Sequence, residues 1–138
     1  MNRLARTDAS PKLAVHFCTH CGALSHEATQ RVCSACGMGV VLSCAPGVLP
    51  RAGAAFLVVK SDLRISAASE AAERMLGDVC GAQLLDVVSG DPSLPRWIGR
   101  AAMGSQRVVS VALRLGTRRL NGRVAVCGDP PAALLVLT

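Results

Sequence analysis

The chain has 138 residues, 51% hydrophobic and 17% charged, which excludes an intrinsically disordered protein because so apolar a sequence buries enough surface to offset the entropy of ordering. Two Phe, one Trp and no Tyr exclude binding by rows of stacked rings, and apolar runs as short as Ala54–Val59 and Ala132–Leu137 fall well below the roughly 20 residues of a membrane-spanning helix. The net charge of +6, from 15 basic and 9 acidic residues, is spread with no basic run denser than Arg118–Arg119, and so predicts an ordinary basic surface more than a nucleic-acid footprint.

Met1–Ser10 carries Arg3, Arg6 and Asp8 but no apolar core of a secretory signal, so a cytoplasmic location is expected. The seven cysteines are then expected reduced, as metal ligands or free thiols. Arg far outnumbers Lys, a bias that fits a GC-rich bacterial genome.

Five of the cysteines fall before residue 45. Cys18-Thr19-His20-Cys21-Gly22 and Cys33-Ser34-Ala35-Cys36-Gly37 are two Cys-x-x-Cys-Gly turns. Two cysteines three apart on a tight turn aim both sulfurs at one ion, and the following Gly lets the backbone turn sharply. Two such turns close a tetrahedral cage of four thiolates, so Cys18, Cys21, Cys33 and Cys36 are the candidate metal ligands. Four thiolates leave no open position for water, so the metal is expected to be structural. A segment this small lacks an adequate core, and metal binding would supply its folding free energy. His16, His20 and His26 are spare donors and read as surface imidazoles, while Cys44 reads as a small apolar residue at a strand end. His16–Phe17 and Gly39–Leu42 read as strands, with Ala23–Val32 as a hairpin arm. The arm offers Arg31 against Glu27, which favours a protein-facing or bracing role over nucleic-acid contact. Residues 14–44 resemble the zinc ribbon family in both knuckles. Rubredoxin-like iron sites use similar knuckles among aromatic residues; only Phe17 is present here, which favours one zinc per chain over iron.

Residues 45–53 read as a linker, with Pro46, Gly47, Pro50 and Gly53 breaking regular structure. Phe56–Val59, a polar turn at Lys60-Ser61-Asp62 and Leu63–Ile65 predict a β-hairpin. Ser69 is the expected N-cap of a helix whose apolar positions Ala68, Ala72, Met75 and Leu76 recur at helical spacing, and Gly77 suits its C-terminal cap. Gly81–Val88 and Arg96–Met103 predict two further helical segments, the second carrying Trp97 as a core or interface anchor. Val109–Leu115 and Leu120–Val126 alternate about the two-residue turn Gly116-Thr117, and Ala132–Leu137 is a final apolar strand after Gly128–Pro131.

This order of elements, with Phe56-Leu-Val-Val-Lys-Ser-Asp-Leu-Arg-Ile-Ser-Ala-Ala-Ser-Glu-Ala-Ala-Glu-Arg-Met-Leu-Gly77, resembles a PAS domain over residues 54–138. Asp62, Ser69, Leu76-Gly77 and Gly81 match the turn, helix start, helix end and following glycine of that family. The resemblance implies an α+β fold: a five-stranded antiparallel sheet with helices on one face, joined here to the small N-terminal zinc ribbon. It also implies sensing of a small molecule, dimerisation or protein docking. Residues 51–138 contain no His to ligate haem, the Asn-Cys-Arg-Phe signature of flavin photosensors is missing, and Cys80 and Cys127 read as buried small hydrophobes. No Ser-His-Asp order, phosphate-cradling loop or His-Glu-x-x-His helix is present, so a non-catalytic regulatory module is expected. Its expected partner is a separate signalling or transcription protein, with a homodimer and a small-molecule ligand as further candidates and no membrane. The alternative is a nucleic-acid-binding transcription regulator, in which the ribbon contacts DNA or RNA and the second domain dimerises.

Overall fold

The computed structural model describes residues 15–25, 31–49 and 51–138. Met1–Ser10, His26 and the tip of the expected arm lie outside the described residues. In chain order the strands are β1 (Val15–Cys18), β2 (Leu24–Ser25), β3 (Val41–Cys44), β4 (Phe56–Val59), β5 (Ile65–Ala68), β6 (Ser89–Gly90), β7 (Val109–Leu115), β8 (Arg118–Cys127) and β9 (Ala132–Leu137). The helices are α1 (Glu70–Leu76) and α2 (Leu84–Val87), between β5 and β6, and α3 (Leu94–Ala102), between β6 and β7. Among the described residues no helix is long and apolar enough to cross a membrane.

All strands join one antiparallel sheet in the order β2-β1-β3-β8-β9-β4-β5, with β7 also on β8 and β6 on β7. Residues 54–138 form six of its nine strands where five were expected, the two-residue β6 being the addition, and the Cys-rich strands β1–β3 extend the same sheet. The physical reason lies in β8, which is ten residues long. β7 covers one of its edges only from Arg118 to Val124, and Cys127 beyond that point pairs with Cys44 of β3. The Cys-rich strands therefore continue the same sheet.

Side-chain alternation assigns two buried faces. Leu57 and Val59 of β4, Ala133, Leu135 and Leu137 of β9, and Leu120 and Val124 of β8 meet the helices through Ala72, Leu84, Leu94 and Ile98. Phe56 and Val58, Leu134 and Val136, and Ala125 and Cys127 point the other way. There they meet Phe17, Cys44, Val48, Leu49 and Ala54. Burial on both faces explains why β4 and β9 read as unbroken apolar runs rather than alternating ones. Residues 45–53 connect the two segments, and they also act as a strap: Val48 and Leu49 are 3% and 7% exposed, and Arg123 Nη1 donates to the Gly47 and Val48 carbonyls at 3.0 and 3.4 Å.

Local chemistry sets the element ends. The Ser69 hydroxyl accepts from Ala72 N–H at 3.2 Å and so caps α1, while Gly77 closes it at φ +82°. Leu63 stands outside β5, because it takes a left-handed conformation (φ +69°) in the hairpin turn; strand pairing starts only at Ile65. Gly116 and Thr117 form the two-residue link between β7 and β8, whose outermost pair is Leu115–Arg118.

Candidate metal centre

The two Cys-x-x-Cys-Gly turns adopt matching backbone. Gly22 N–H donates to the Cys18 carbonyl at 3.1 Å and Gly37 N–H to the Cys33 carbonyl at 2.8 Å. Both glycines lie at positive φ, +75° and +69°, where a side chain would be strained. Each turn therefore brings two sulfurs to its inner side. The turns are held against each other by Thr19, whose N–H donates to the Val40 carbonyl at 2.9 Å and whose hydroxyl accepts from Val40 N–H at 3.1 Å.

The Sγ atoms of Cys18, Cys21, Cys33 and Cys36 all lie within 4.8 Å of one another. Cys18 and Cys36 are 3.7 Å apart and Cys21 and Cys33 3.8 Å apart. A regular tetrahedron with metal–sulfur bonds of about 2.3 Å has edges of about 3.8 Å, so these separations fit a zinc ion at the centre. The structure brings together the four cysteines named as candidates from the sequence, and all four candidate donors are sulfur.

Backbone amides prepare the sulfurs for negative charge. His20 and Cys21 N–H groups donate to Cys18 Sγ at 3.3 and 3.4 Å, and Met38 N–H to Cys36 Sγ at 3.5 Å. The Met38 and Gly39 amides hold the Cys36 thiol down to about 6. The Cys36 amide lowers Cys33 as well, whereas burial pushes Cys21 up to about 12. Thiols this close cannot all ionise together without a counter-charge, which a Zn²⁺ ion held by Cys18, Cys21, Cys33 and Cys36 would supply.

Gly39 completes the cage, and sequence reading missed it. A Cβ there would run into Cys18 Sγ and come within 2.8 Å of the His20 backbone nitrogen and Cβ. The available signal was the second glycine of Cys36-Gly37-Met38-Gly39. Thr19 was missed as well, since its role depends on a residue 21 positions away.

The first knuckle also docks on the rest of the fold. Glu70 N–H, an orphan donor at the start of α1, donates to the His20 carbonyl at 2.7 Å. Gly53 N–H donates to the Gly22 carbonyl at 3.2 Å. His20 Nε2 lies 3.8 Å from Glu70 Oε2. The aromatic rings of Phe17 and Phe56 meet edge to face, centroids 5.2 Å apart, across the same junction.

The remaining expected residues fall as follows. His16 and His20 are half-buried rather than exposed, because His16 lies between β2 and β3 and His20 packs beside α1. His16 Nδ1 is buried without a hydrogen-bond partner among the described residues. Cys44 and Cys127 are buried opposite each other, and burial pushes their thiols up to about 11 and about 12. Cys80 is exposed, contrary to expectation, because its neighbour Val79 takes the buried position in that turn. Trp97 is partly buried against the helix-side core.

No known protein family matches the chain, and no curated protein is similar to it. Among solved structures it is similar to the PAS domain of nitrogen regulation protein NR(II) from Vibrio parahaemolyticus, at 20% identity over 60% of this chain and 84% of that one, with a TM-score of 0.45.

Proposed function

We propose that the chain is a non-catalytic regulatory module. One structural zinc ion folds the Cys-rich segment onto the sheet, and the PAS-like unit of residues 54–138 docks a separate signalling or transcription protein. The zinc would be held by Cys18, Cys21, Cys33 and Cys36, and when bound it supplies cross-linking charge, not an open coordination position for a substrate.

The observation that carries this reading is the filled space between helices and sheet. Leu57, Ile65, Leu84, Ile98, Leu113 and Leu135 meet there and are each at most 2% exposed. A ligand sensor needs room at that face, whereas a docking module needs only a rigid surface. Native mass spectrometry of the full chain tests the reading. One zinc per chain with no further mass is expected. A retained small molecule would overturn the docking role in favour of ligand sensing, and intrinsic turnover would overturn the non-catalytic reading.

A further inference from the structure

Residues 92–128 contain seven arginines and no acidic residue, while the rest of the chain holds 8 basic and 9 acidic groups. The whole positive excess therefore comes from α3, β7, β8 and their connections. Three of these arginines gather on one side chain. Arg96 and Arg100, four apart on α3 and both exposed, place their guanidinium carbons 5.3 and 5.1 Å from the Trp97 ring centroid. Arg107, from the loop after α3, comes within 5.3 Å of the same centroid. The indole is fixed in place, since its N–H donates to Ser93 Oγ at 3.1 Å.

Ion pairs among the described residues are His20–Glu70 and Arg64–Asp62, so no carboxylate of the described residues lies at contact distance from the three arginines. The acidic residue beside the start of α3, Asp91, accepts from the Ser93 amide and hydroxyl at 2.9 and 2.7 Å, and Arg96 acts on it only at longer range than an ion pair. Three like charges held around one ring repel one another, and an anionic partner would relieve that repulsion. Exposed apolar groups flank the cluster: Met103 is 80% and Val108 47% exposed. Arg, Trp and Met together form the composition of protein-interface cores, where Lys is depleted. A nucleic-acid backbone would use the arginines but not Met103 and Val108.

We infer that the α3 face centred on Trp97 is a docking surface for an acidic protein segment, whose carboxylates pair with Arg96, Arg100 and Arg107 and whose apolar side chains cover Met103 and Val108. This names the partner chemistry of the docking module proposed above and rests on that reading. The surface differs from the metal site, and the two fail separately.

Trp97 is the sole tryptophan and the chain has no Tyr, so intrinsic fluorescence reports on this surface alone. The zinc-loaded full chain is titrated with a synthetic amphipathic peptide bearing Glu and Asp on one helical face and Leu on the other. A saturable change in Trp97 emission is expected, weakening roughly tenfold between low and moderate salt. In Arg96→Gln/Arg100→Gln, affinity falls roughly tenfold, while Arg118→Gln/Arg119→Gln on β8 binds as the wild type. Anisotropy of a labelled peptide gives the same answer independently of the indole. The inference is overturned by equal affinity for the peptide with Gln replacing every acid, by tighter binding of mixed-sequence DNA or RNA, or by self-association that the α3 substitutions abolish, which would make a second copy the occupant. Failure of the peptide to bind a chain that retains zinc and no other mass refutes this surface and leaves the docking reading standing.

Discussion

Replacing Ser69 with Ala removes a side chain that is 1% exposed and joins three parts of the fold. Its hydroxyl accepts from Ala72 N–H at 3.2 Å and from Phe56 N–H at 3.0 Å, and donates to the Ala54 carbonyl at 3.0 Å. Losing the helix cap costs about 1 kcal/mol. The Phe56 amide and the Ala54 carbonyl are then left without this partner in residues 0% and 4% exposed, where an unsatisfied group costs about 1–3 kcal/mol. With two such groups the sum is about 3–7 kcal/mol, a large share of the roughly 5–15 kcal/mol typical of a domain. Urea unfolding followed by circular dichroism checks it. With a slope of about 2 kcal/mol/M, the midpoint of Ser69→Ala falls by about 1.5–3.5 M at unchanged slope. Ser66→Ala is the control: its hydroxyl donates to the Val58 carbonyl at 3.2 Å from an exposed position, and its loss costs less than about 0.5 kcal/mol. A loss below about 1 kcal/mol in Ser69→Ala would refute the three-way role.

Gly39→Ala pushes a methyl group into Cys18 Sγ and the His20 backbone, so zinc affinity measured by chelator competition falls at least about tenfold, while Gly37→Ala, with open space around its Cβ, weakens zinc less. Burial pushes Cys44 and Cys127 up to about 11 and about 12, so at neutral pH both thiols stay protonated and buried. Iodoacetamide labelling of the zinc-loaded chain, read by mass spectrometry, therefore marks the exposed Cys80 before Cys44 and Cys127. A double-mutant cycle on Phe17→Leu and Phe56→Leu gives a coupling of about 0.5–1.5 kcal/mol in thermal or urea unfolding, since the rings touch across the junction of the Cys-rich segment and the sheet.

Features encoded by short spacing were legible before the structure. The knuckle cysteines, the Ser69 cap, Gly77 and the Gly116-Thr117 turn each depend on residues within a few positions of one another, so the local pattern carries them. Strand partners far apart in the chain are different. Nothing near Cys44 announces that it pairs with Cys127, so the merger of the Cys-rich strands with the sheet was unreadable. The strap was hidden for the same reason: two prolines and two glycines advertise a linker, and the burial of Val48 and Leu49 depends on a sheet face built from residues 56–136. β6, two residues long, is too short for periodicity to register. The charge of residues 92–128 was present in composition, but its gathering around Trp97 needs the turn of α3 and the return of the Arg107 loop. Cys80 and Val79 show a smaller limit, since composition cannot tell which of two adjacent apolar residues in a turn points inward.

In the proposed module a four-thiolate zinc site braces the sheet through the first knuckle. Hydrogen exchange of the full chain, with zinc and after chelation, measures it most directly. Loss of zinc is expected to release the amides of Gly22, Gly37 and Val40 and, with them, Glu70 at the start of α1 and Gly53 at the end of the strap, because these donate to or stand beside the knuckle. Unchanged protection of Glu70 and Gly53 after the metal has left would contradict the brace.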